Sequence, residues 1–237
     1  MKGKLYLIPT PLGPLESIEK VQPSYNSSII IHTIDTFIVE QVRTARRFLS
    51  GINHPIPIDH ISFLELNKHT DQSEVYSYLD SAMKGGNIGL LSEAGTPCIA
   101  DPGSVVVKLA HIKGIQVIPL VGPNSILLAL MASGLNGQNF LFHGYLPIER
   151  NILAKYLKDI ESNSKRKSQT QIFIETPYRN NQMLKSIISV CSIDTNLCIA
   201  TDLTLSTESI KTKTVGEWKK SLPDMNKKPT VFLLCRD

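Results

Sequence analysis

The sequence has few cysteines, and their spacing argues against a fold stabilised by zinc or by disulfide bonds. None of the four is in a C-x-x-C pair or near paired histidines: Cys98, Cys191, Cys198 and Cys235. This distribution disfavours a structural zinc site and a disulfide framework. We therefore predict no metal site, and we expect reduced, mostly buried thiols, as in a cytoplasmic protein.

Long hydrophobic runs are also absent. The apolar run near the N-terminus, Leu5-Tyr6-Leu7-Ile8, is too short for a signal peptide or a membrane span, so we expect a cytoplasmic protein without a membrane partner. The net charge of +4 permits an anionic partner without requiring one. Each small basic cluster taken alone is more typical of a solvated surface than of a nucleic-acid site.

Two nucleotide-binding fingerprints are missing as well. The sequence contains neither G-x-G-x-x-G nor G-x-x-x-x-G-K-[ST], which argues against a dinucleotide fold and a P-loop hydrolase. What it does contain is an apolar run at residues 88–91, a Pro/Gly-rich loop at 92–103 and a helical pattern from Ser104. Strand, irregular loop and helix is how α/β proteins build ligand sites. Alternatively, Asp101 only caps the helix, with Pro102 at its first position.

The first part of the chain alternates between strand and helix patterns five times. Strands are predicted at residues 4–8, 29–32, 58–64, 88–91 and 115–119, and helices at 16–21, 36–50, 72–84, 104–113 and 125–133. Such alternation predicts a five-stranded parallel sheet with helices on both faces. Pro/Gly loops follow Ile8, Leu91 and Pro119, and we expect them to converge on one ligand.

The remainder of the chain predicts a mixed α+β sheet domain. Strands are predicted at residues 140–145, 171–175, 197–201, 208–214 and 230–234. One helix starts near Ile152 and breaks at the polar run 162–169; another has Thr176 as N-cap and extends to Val190. We place the boundary near Asn136, which gives domains at 1–136 and 137–237.

Six motifs lie in register along the chain, at residues 7–16, 92–103, 120–125, 133–135, 142–147 and 173–179. Together they look like the tetrapyrrole-methylase superfamily of S-adenosylmethionine (AdoMet) methyltransferases, and most like its ribosomal RNA small-subunit methyltransferase I branch, which methylates a cytidine 2′-hydroxyl. The resemblance spans nearly the whole chain.

The resemblance implies two α/β domains, AdoMet as cofactor in a cleft that the C-terminal domain closes, and a homodimer. By motif position, the implied cofactor contacts are Leu15, Ala94, Gly95, Thr96, Ser125, Ile126, Glu175, Asp202, Leu203, Pro229 and Thr230. For four of them a purely structural role stays open as the alternative: Ser125 as a helix cap, Ile126 as core, Glu175 as a surface strand end and Asp202 as a turn residue.

Three departures from the branch stand out. Its Ala-Glu-Asp-Thr-Arg motif after the second strand corresponds to residues 33–37 here, which would lose the arginine unless Arg43 replaces it. The loop begins Ser-Glu instead of Ser-Asp. The branch commonly has a further C-terminal helical segment, and since this sequence ends at Asp237 we expect a shortened member.

The expected chemistry is metal-independent methyl transfer to structured RNA, and two acidic residues are candidates for the base. Removal of a ribose proton needs a base, and Glu93 and Asp101 are the loop's acids; Glu93 has no evident capping duty. The helix bearing Arg43, Arg46 and Arg47 and the loop at 165–167 would engage RNA phosphates. Alternatives are methylation of a tetrapyrrole or other small molecule, and a non-catalytic AdoMet-binding protein.

Overall fold

The computed structural model describes residues 1–13, 23 and 26–236. The predicted helix at 16–21 and the predicted cofactor contact Leu15 lie outside them. The chain divides into two compact units, Met1–Asn124 and Ser125–Asp237. Within the described residues, no helix is both long and apolar enough to cross a membrane.

The N-terminal unit contains a five-stranded parallel sheet, as predicted. Its order is β3-β2-β4-β1-β5, and each neighbouring pair is parallel. The elements are β1 (Lys4–Ile8), β2 (Thr36–Val39), α1 (Val42–Gly51), β3 (Ser62–Glu65), α2 (Gln72–Val75), α3 (Asp80–Met83), β4 (Ile88–Leu91), α4 (Ser104–Ile112) and β5 (Gln116–Pro119). Short helical turns cover Asn26–Ile30, Ile31–Thr33 and Ile58–His60.

The second strand was predicted in the wrong place. Residues 29–32 lie in helical turns, and the strand is β2, where a helix was expected to start. Phe37, Ile38 and Val39 are all buried because β2 lies between β3 and β4 and is covered on both faces. A central strand of this kind reads as a short continuous apolar run, which periodicity does not separate from a helix.

The C-terminal unit is a mixed sheet with helices, also as predicted. Its strand order is β6-β7-β10-β8-β9, in which only β6 and β7 pair in parallel. The elements are α5 (Ser125–Ser133), β6 (Phe140–Tyr145), α6 (Arg150–Lys167), β7 (Thr170–Ile174), α7 (Asn180–Val190), β8 (Asn196–Thr201), β9 (Ser209–Thr214), α8 (Val215–Lys220) and β10 (Thr230–Cys235). The boundary was expected near Asn136, but α5 packs against β8, β9 and β10 and so belongs to this unit.

Two helices differ from expectation at their ends. The break expected in the polar run at 162–169 is absent, because Ser164 is buried and its hydroxyl donates to the Gln169 carbonyl, so α6 continues through Lys167. Helix α7 begins at Asn180 instead of Pro177, after a turn in which the Arg179 N–H donates to the Thr176 carbonyl. The sequence interpretation missed α8 altogether.

Candidate active site

Two of the Pro/Gly loops are held together at the carboxyl edge of the N-terminal sheet. The backbones of Thr10 and Gly95 exchange two N–H···O hydrogen bonds, each 3.0 Å long. The Thr10 hydroxyl donates to the Ser92 carbonyl at 3.1 Å, and the Ser92 hydroxyl donates to the Gly95 carbonyl. The loop after β1 is therefore bonded directly to the loop after β4.

The loop after β5 joins this contact. Gly122 lies so close to Pro9 that a Cβ on the glycine would be 2.4 Å from the proline Cβ. The Asn124 side-chain amide donates to the Thr96 hydroxyl at 2.6 Å. The three loops therefore converge, which confirms the expectation from the strand ends.

Asp101 stabilises the central loop from within. Its carboxylate accepts the Cys98 N–H at 2.9 Å and the Gly103 N–H at 2.7 Å. Burial raises the pKa of Asp101, and these hydrogen bonds oppose that shift. Helix α4 begins at Ser104 with Gly103 as N-cap, so the prediction of Pro102 as first helical residue was wrong.

Cys98 is a direct neighbour of this carboxylate. The backbone at Cys98 has φ +68°, a conformation that the two hydrogen bonds to Asp101 hold in place. Burial, with a smaller contribution from Asp101, raises the pKa of Cys98 to about 11. Cys98 and the buried Cys191, Cys198 and Cys235 are all free thiols, as expected.

Glu93 differs from Asp101 in its bonding to the described residues. It is half-buried at the start of the loop, and it forms no hydrogen bond or ion pair with another residue that the structure describes. The described residues therefore leave its carboxylate unbonded, whereas that of Asp101 accepts backbone N–H groups.

Glu40 is a third acidic residue here, and sequence reasoning missed it. It directly follows β2, the strand beside β4, and so lies at the same edge of the sheet as Glu93. Burial raises the pKa of Glu40, and repulsion from Glu93 and Asp101 adds to the shift. A strand predicted at residues 36–39 would have placed Glu40 directly after it, at the ligand-binding edge of the sheet.

That placement also corrects the alignment of the Ala-Glu-Asp-Thr-Arg motif. Since that motif follows the second strand, we infer that its counterpart is Val39-Glu40-Gln41-Val42-Arg43 instead of residues 33–37. On this alignment Glu40 and Arg43 hold the glutamate and arginine positions, and the arginine is retained.

A pocket of 420 Å³ opens beside these loops within the N-terminal unit. Its walls are the ends of β1, β2 and β4 and one side of α1, and they are mainly apolar. Glu93 and Arg47 supply the charges at its wall. No predicted cofactor contact among the described residues lines it.

A second group of predicted residues meets at one edge of the C-terminal sheet. Glu175 directly follows β7 and Asp202 directly follows β8, and β10 starts with Thr230, which pairs with Thr201 at the end of β8. The Asp202 N–H donates to the Pro229 carbonyl at 3.0 Å. Antiparallel pairing of β10 with both β7 and β8 is what brings these residues together.

Glu175 is buried, so the alternative of a surface strand end was wrong. One carboxylate oxygen accepts the Thr176 N–H at 2.7 Å; the other, Oε2, lies 3.3 Å from Arg179 Nη2 as an ion pair. That oxygen and the buried Oδ1 of Asn180 lack a hydrogen-bond partner among the described residues. Buried acceptors of this kind are normally satisfied, so they could accept from a ligand donor.

The remaining predicted contacts have ordinary structural surroundings. Asp202 has φ +51° and accepts from the Thr207 hydroxyl at 3.0 Å, so it does act in a turn. Leu203 and Ile126 are buried, and Ser125 is the first residue of α5. The structure therefore gives these residues a role in the fold and leaves a binding role as a prediction.

The basic residues predicted to bind RNA lie on helices α1 and α6. Arg43, Arg46 and Arg47 of α1 are all exposed, and the Arg46 guanidinium lies 5.7 Å from the centre of the Phe63 ring. Residues 165–167 are not in a loop as predicted but form the last turn of α6, where positive charge stabilises the helix dipole.

Comparison with known proteins identifies the class and then the family. The fold is that of the tetrapyrrole methyltransferases. The methyltransferase CobJ matches with a TM-score of 0.65 at 15% identity, over 99% of this chain and 94% of CobJ. Uroporphyrin-III C-methyl transferase from Thermus thermophilus, complexed with S-adenyl homocysteine, matches with a TM-score of 0.58 at 14% identity, over 99% and 98% of the two chains.

Sequence relatives are more specific. The chain is 32% identical over 221 residues to ribosomal RNA small subunit methyltransferase I of Buchnera aphidicola subsp. Acyrthosiphon pisum (strain APS), covering 92% of this chain and 73% of the relative. It is 31% identical over 238 residues to the protein of the same name from Escherichia coli O157:H7, covering 98% and 78%. No protein-family model matches. The chain belongs to the ribosomal RNA small subunit methyltransferase I family, which confirms the resemblance seen in the motifs.

Proposed function

We propose that the protein is an AdoMet-dependent methyltransferase that modifies a cytidine 2′-hydroxyl in small-subunit ribosomal RNA. The observation that carries this proposal is the convergence of three Pro/Gly loops at the carboxyl edge of the N-terminal sheet, in a chain of this family. Relatives at about 30% identity are named for that RNA, which supports it over a tetrapyrrole substrate. We place the activity in the cytoplasm, where this RNA is assembled.

In the N-terminal unit, the proposed cofactor contacts are Ala94, Gly95 and Thr96. The bonds from Thr10 to Gly95 and from Asn124 to Thr96 hold this segment rigid. Rigid positioning is the main requirement, because alignment of nucleophile, methyl and sulfur contributes most of the rate.

The C-terminal unit supplies a separate set of proposed contacts. Asn180 Oδ1, which has no hydrogen-bond partner among the described residues, and Glu175 Oε2, which is ion-paired with Arg179 without a hydrogen bond, fit the amino and hydroxyl donors of AdoMet. Asp202, Leu203, Pro229 and Thr230 lie at the same edge of the sheet. Ser125 and Ile126, on α5 of that unit, complete the set implied by the family motifs.

Glu93 is the proposed base. Bound AdoMet would supply an electrophilic methyl group, with S-adenosylhomocysteine as the leaving group when the ribose oxygen bonds to that methyl. The Glu93 carboxylate accepts the hydroxyl proton during this attack. Asp101 retains its three backbone hydrogen bonds and positions the loop.

RNA phosphates would contact the exposed side chains of Arg43 and Arg47 on α1. Arg46 is left out of this proposal because its guanidinium stacks on Phe63. We also propose a homodimer, on family resemblance; sedimentation analysis would show it as a doubling of mass.

Methyl-labelled AdoMet tests the proposal. Purified protein is added to a lysate of cells that lack it, and the label is sorted into RNA, protein and small-molecule fractions. Label in small-subunit RNA, at a cytidine ribose that resists alkaline cleavage, is the expected result. Label in a coloured small molecule would favour the tetrapyrrole alternative. Bound AdoMet without transfer to any fraction would contradict the enzymatic proposal.

A further inference from the structure

The pocket of the N-terminal unit has the size and chemistry of a site for one nucleotide. Its 420 Å³ lies near the lower end of the range of about 300–1,000 Å³ for small-molecule sites. A tetrapyrrole macrocycle with its acid side chains is much larger than a nucleotide. The volume is therefore sufficient for a single nucleotide.

The floor of the pocket suits the base of a nucleotide. The nearly fully buried side chains of Phe48, Leu91 and Val39 make it apolar, and the Thr10 and Ser92 hydroxyls in its lining already donate to loop carbonyls. Apolar walls with few placed polar groups are typical of sites that bind a flat, partly polar ligand.

The two charged residues of the pocket suit the phosphate and the ribose of a nucleotide. Arg47 lies on α1, is exposed and has no ion-pair partner among the residues described, so its guanidinium is available to a phosphate. Glu93 lies on the β4 side and directly precedes Ala94, the first proposed cofactor contact. A ribose beside Glu93 would thus be next to the segment that holds the methyl donor.

We infer that this pocket receives the single nucleotide to be methylated, extruded from structured RNA, with Arg47 binding its phosphate and Glu93 beside its ribose. The inference rests on the proposed function and adds to it the substrate subsite and a residue, Arg47, that positions the substrate. Extrusion is required because a nucleotide stacked in a helix could not enter a pocket of this kind.

Neighbouring arginines provide a matched test. Arg47→Gln and Arg46→Gln each remove one positive charge from α1, but only Arg47 lines the pocket. We expect Arg47→Gln to raise KM for small-subunit RNA about tenfold or more, the loss of one charge-assisted hydrogen bond, with little change in kcat. Arg46→Gln should raise it less than about twofold, the effect of one surface charge.

A third variant fills the pocket. Thr44 lines it from α1 and is half-buried, so Thr44→Tyr should reduce methyl transfer about a hundredfold while AdoMet affinity, measured by calorimetry, and the unfolding midpoint stay at wild-type values. If wild-type protein labels no RNA, the proposed function fails and the pocket assignment fails with it. If wild-type protein labels the RNA, but the two arginine variants share one KM and Thr44→Tyr keeps full turnover, only the pocket assignment is overturned.

Discussion

Thr10 and Gly95 are joined by a reciprocal pair of backbone hydrogen bonds, each 3.0 Å long, although they follow different strands and lie far apart in the sequence. This bridge makes the loops after β1 and β4 one structural unit. Gly95 has φ +76°, a conformation that residues with a Cβ rarely adopt.

Gly95→Ala should therefore destabilise the protein and weaken AdoMet binding. A Cβ would lie 3.0 Å from Leu12 Cδ2 and 3.2 Å from the Pro123 carbonyl, in addition to the strained φ. We expect a loss of about 1–3 kcal/mol in the free energy of unfolding, measured by urea titration. Gly137→Ala is the control, since a Cβ there would meet no atom within 4 Å; equal losses in the two variants would contradict the role given to the bridge.

Glu93→Gln should lower kcat about 10²–10⁴-fold, the usual contribution of a general base. Because Glu93 makes no hydrogen bond or ion pair within the described part of the chain, the free energy of unfolding should hardly change. Single-turnover methyl transfer with saturating RNA measures the effect. Wild-type turnover in this variant would remove Glu93 from the mechanism.

Asp101→Asn should show the opposite pattern. It weakens the bonds to the Cys98 and Gly103 N–H groups, and we expect a loss of about 1–3 kcal/mol in the free energy of unfolding. Once folded at low temperature, the variant should lose less kcat than Glu93→Gln. Preserved stability together with abolished turnover would instead identify Asp101 as the base.

Glu40→Gln should raise the unfolding midpoint at about pH 8 and leave it unchanged at about pH 3.5, where carboxyl groups are mostly protonated. Folding raises the pKa of Glu40 above its ordinary 4.5, mainly by burial. The folded state then binds more protons than the unfolded one, so stability is lost as pH rises through the folded pKa. Asp59→Asn, at an exposed carboxylate ahead of β3, controls for charge. A gain of equal size at both pH values would contradict the explanation.

RNA affinity should fall steeply with salt if arginines contact phosphates. Each neutralised phosphate releases counterions, so Arg43→Gln should reduce the slope of log K against log salt by about one. Filter binding at several salt concentrations measures it, with Arg46→Gln as comparison. A flat response in wild-type protein would argue against a nucleic-acid substrate.

Local patterns predicted most strands and helices because their periodicity and punctuation are local properties. Gly114, with φ +60°, follows α4 as expected, and both sheets have the predicted character. The patterns failed at β2, where burial on both faces removes the alternation that marks a strand, and this error hid Glu40 and misaligned Arg43.

The sequence by itself determined the family, the Pro/Gly loops and the acids available for chemistry, since motif order and residue type need no coordinates. Only the tertiary structure decided which groups meet. Parallel pairing brings Glu40 to the same sheet edge as Glu93. Backbone N–H groups bond to the Asp101 carboxylate, whereas no described residue bonds to that of Glu93. Packing of α5 on β8, β9 and β10 decided where the units divide, because such contacts join residues that no local pattern relates.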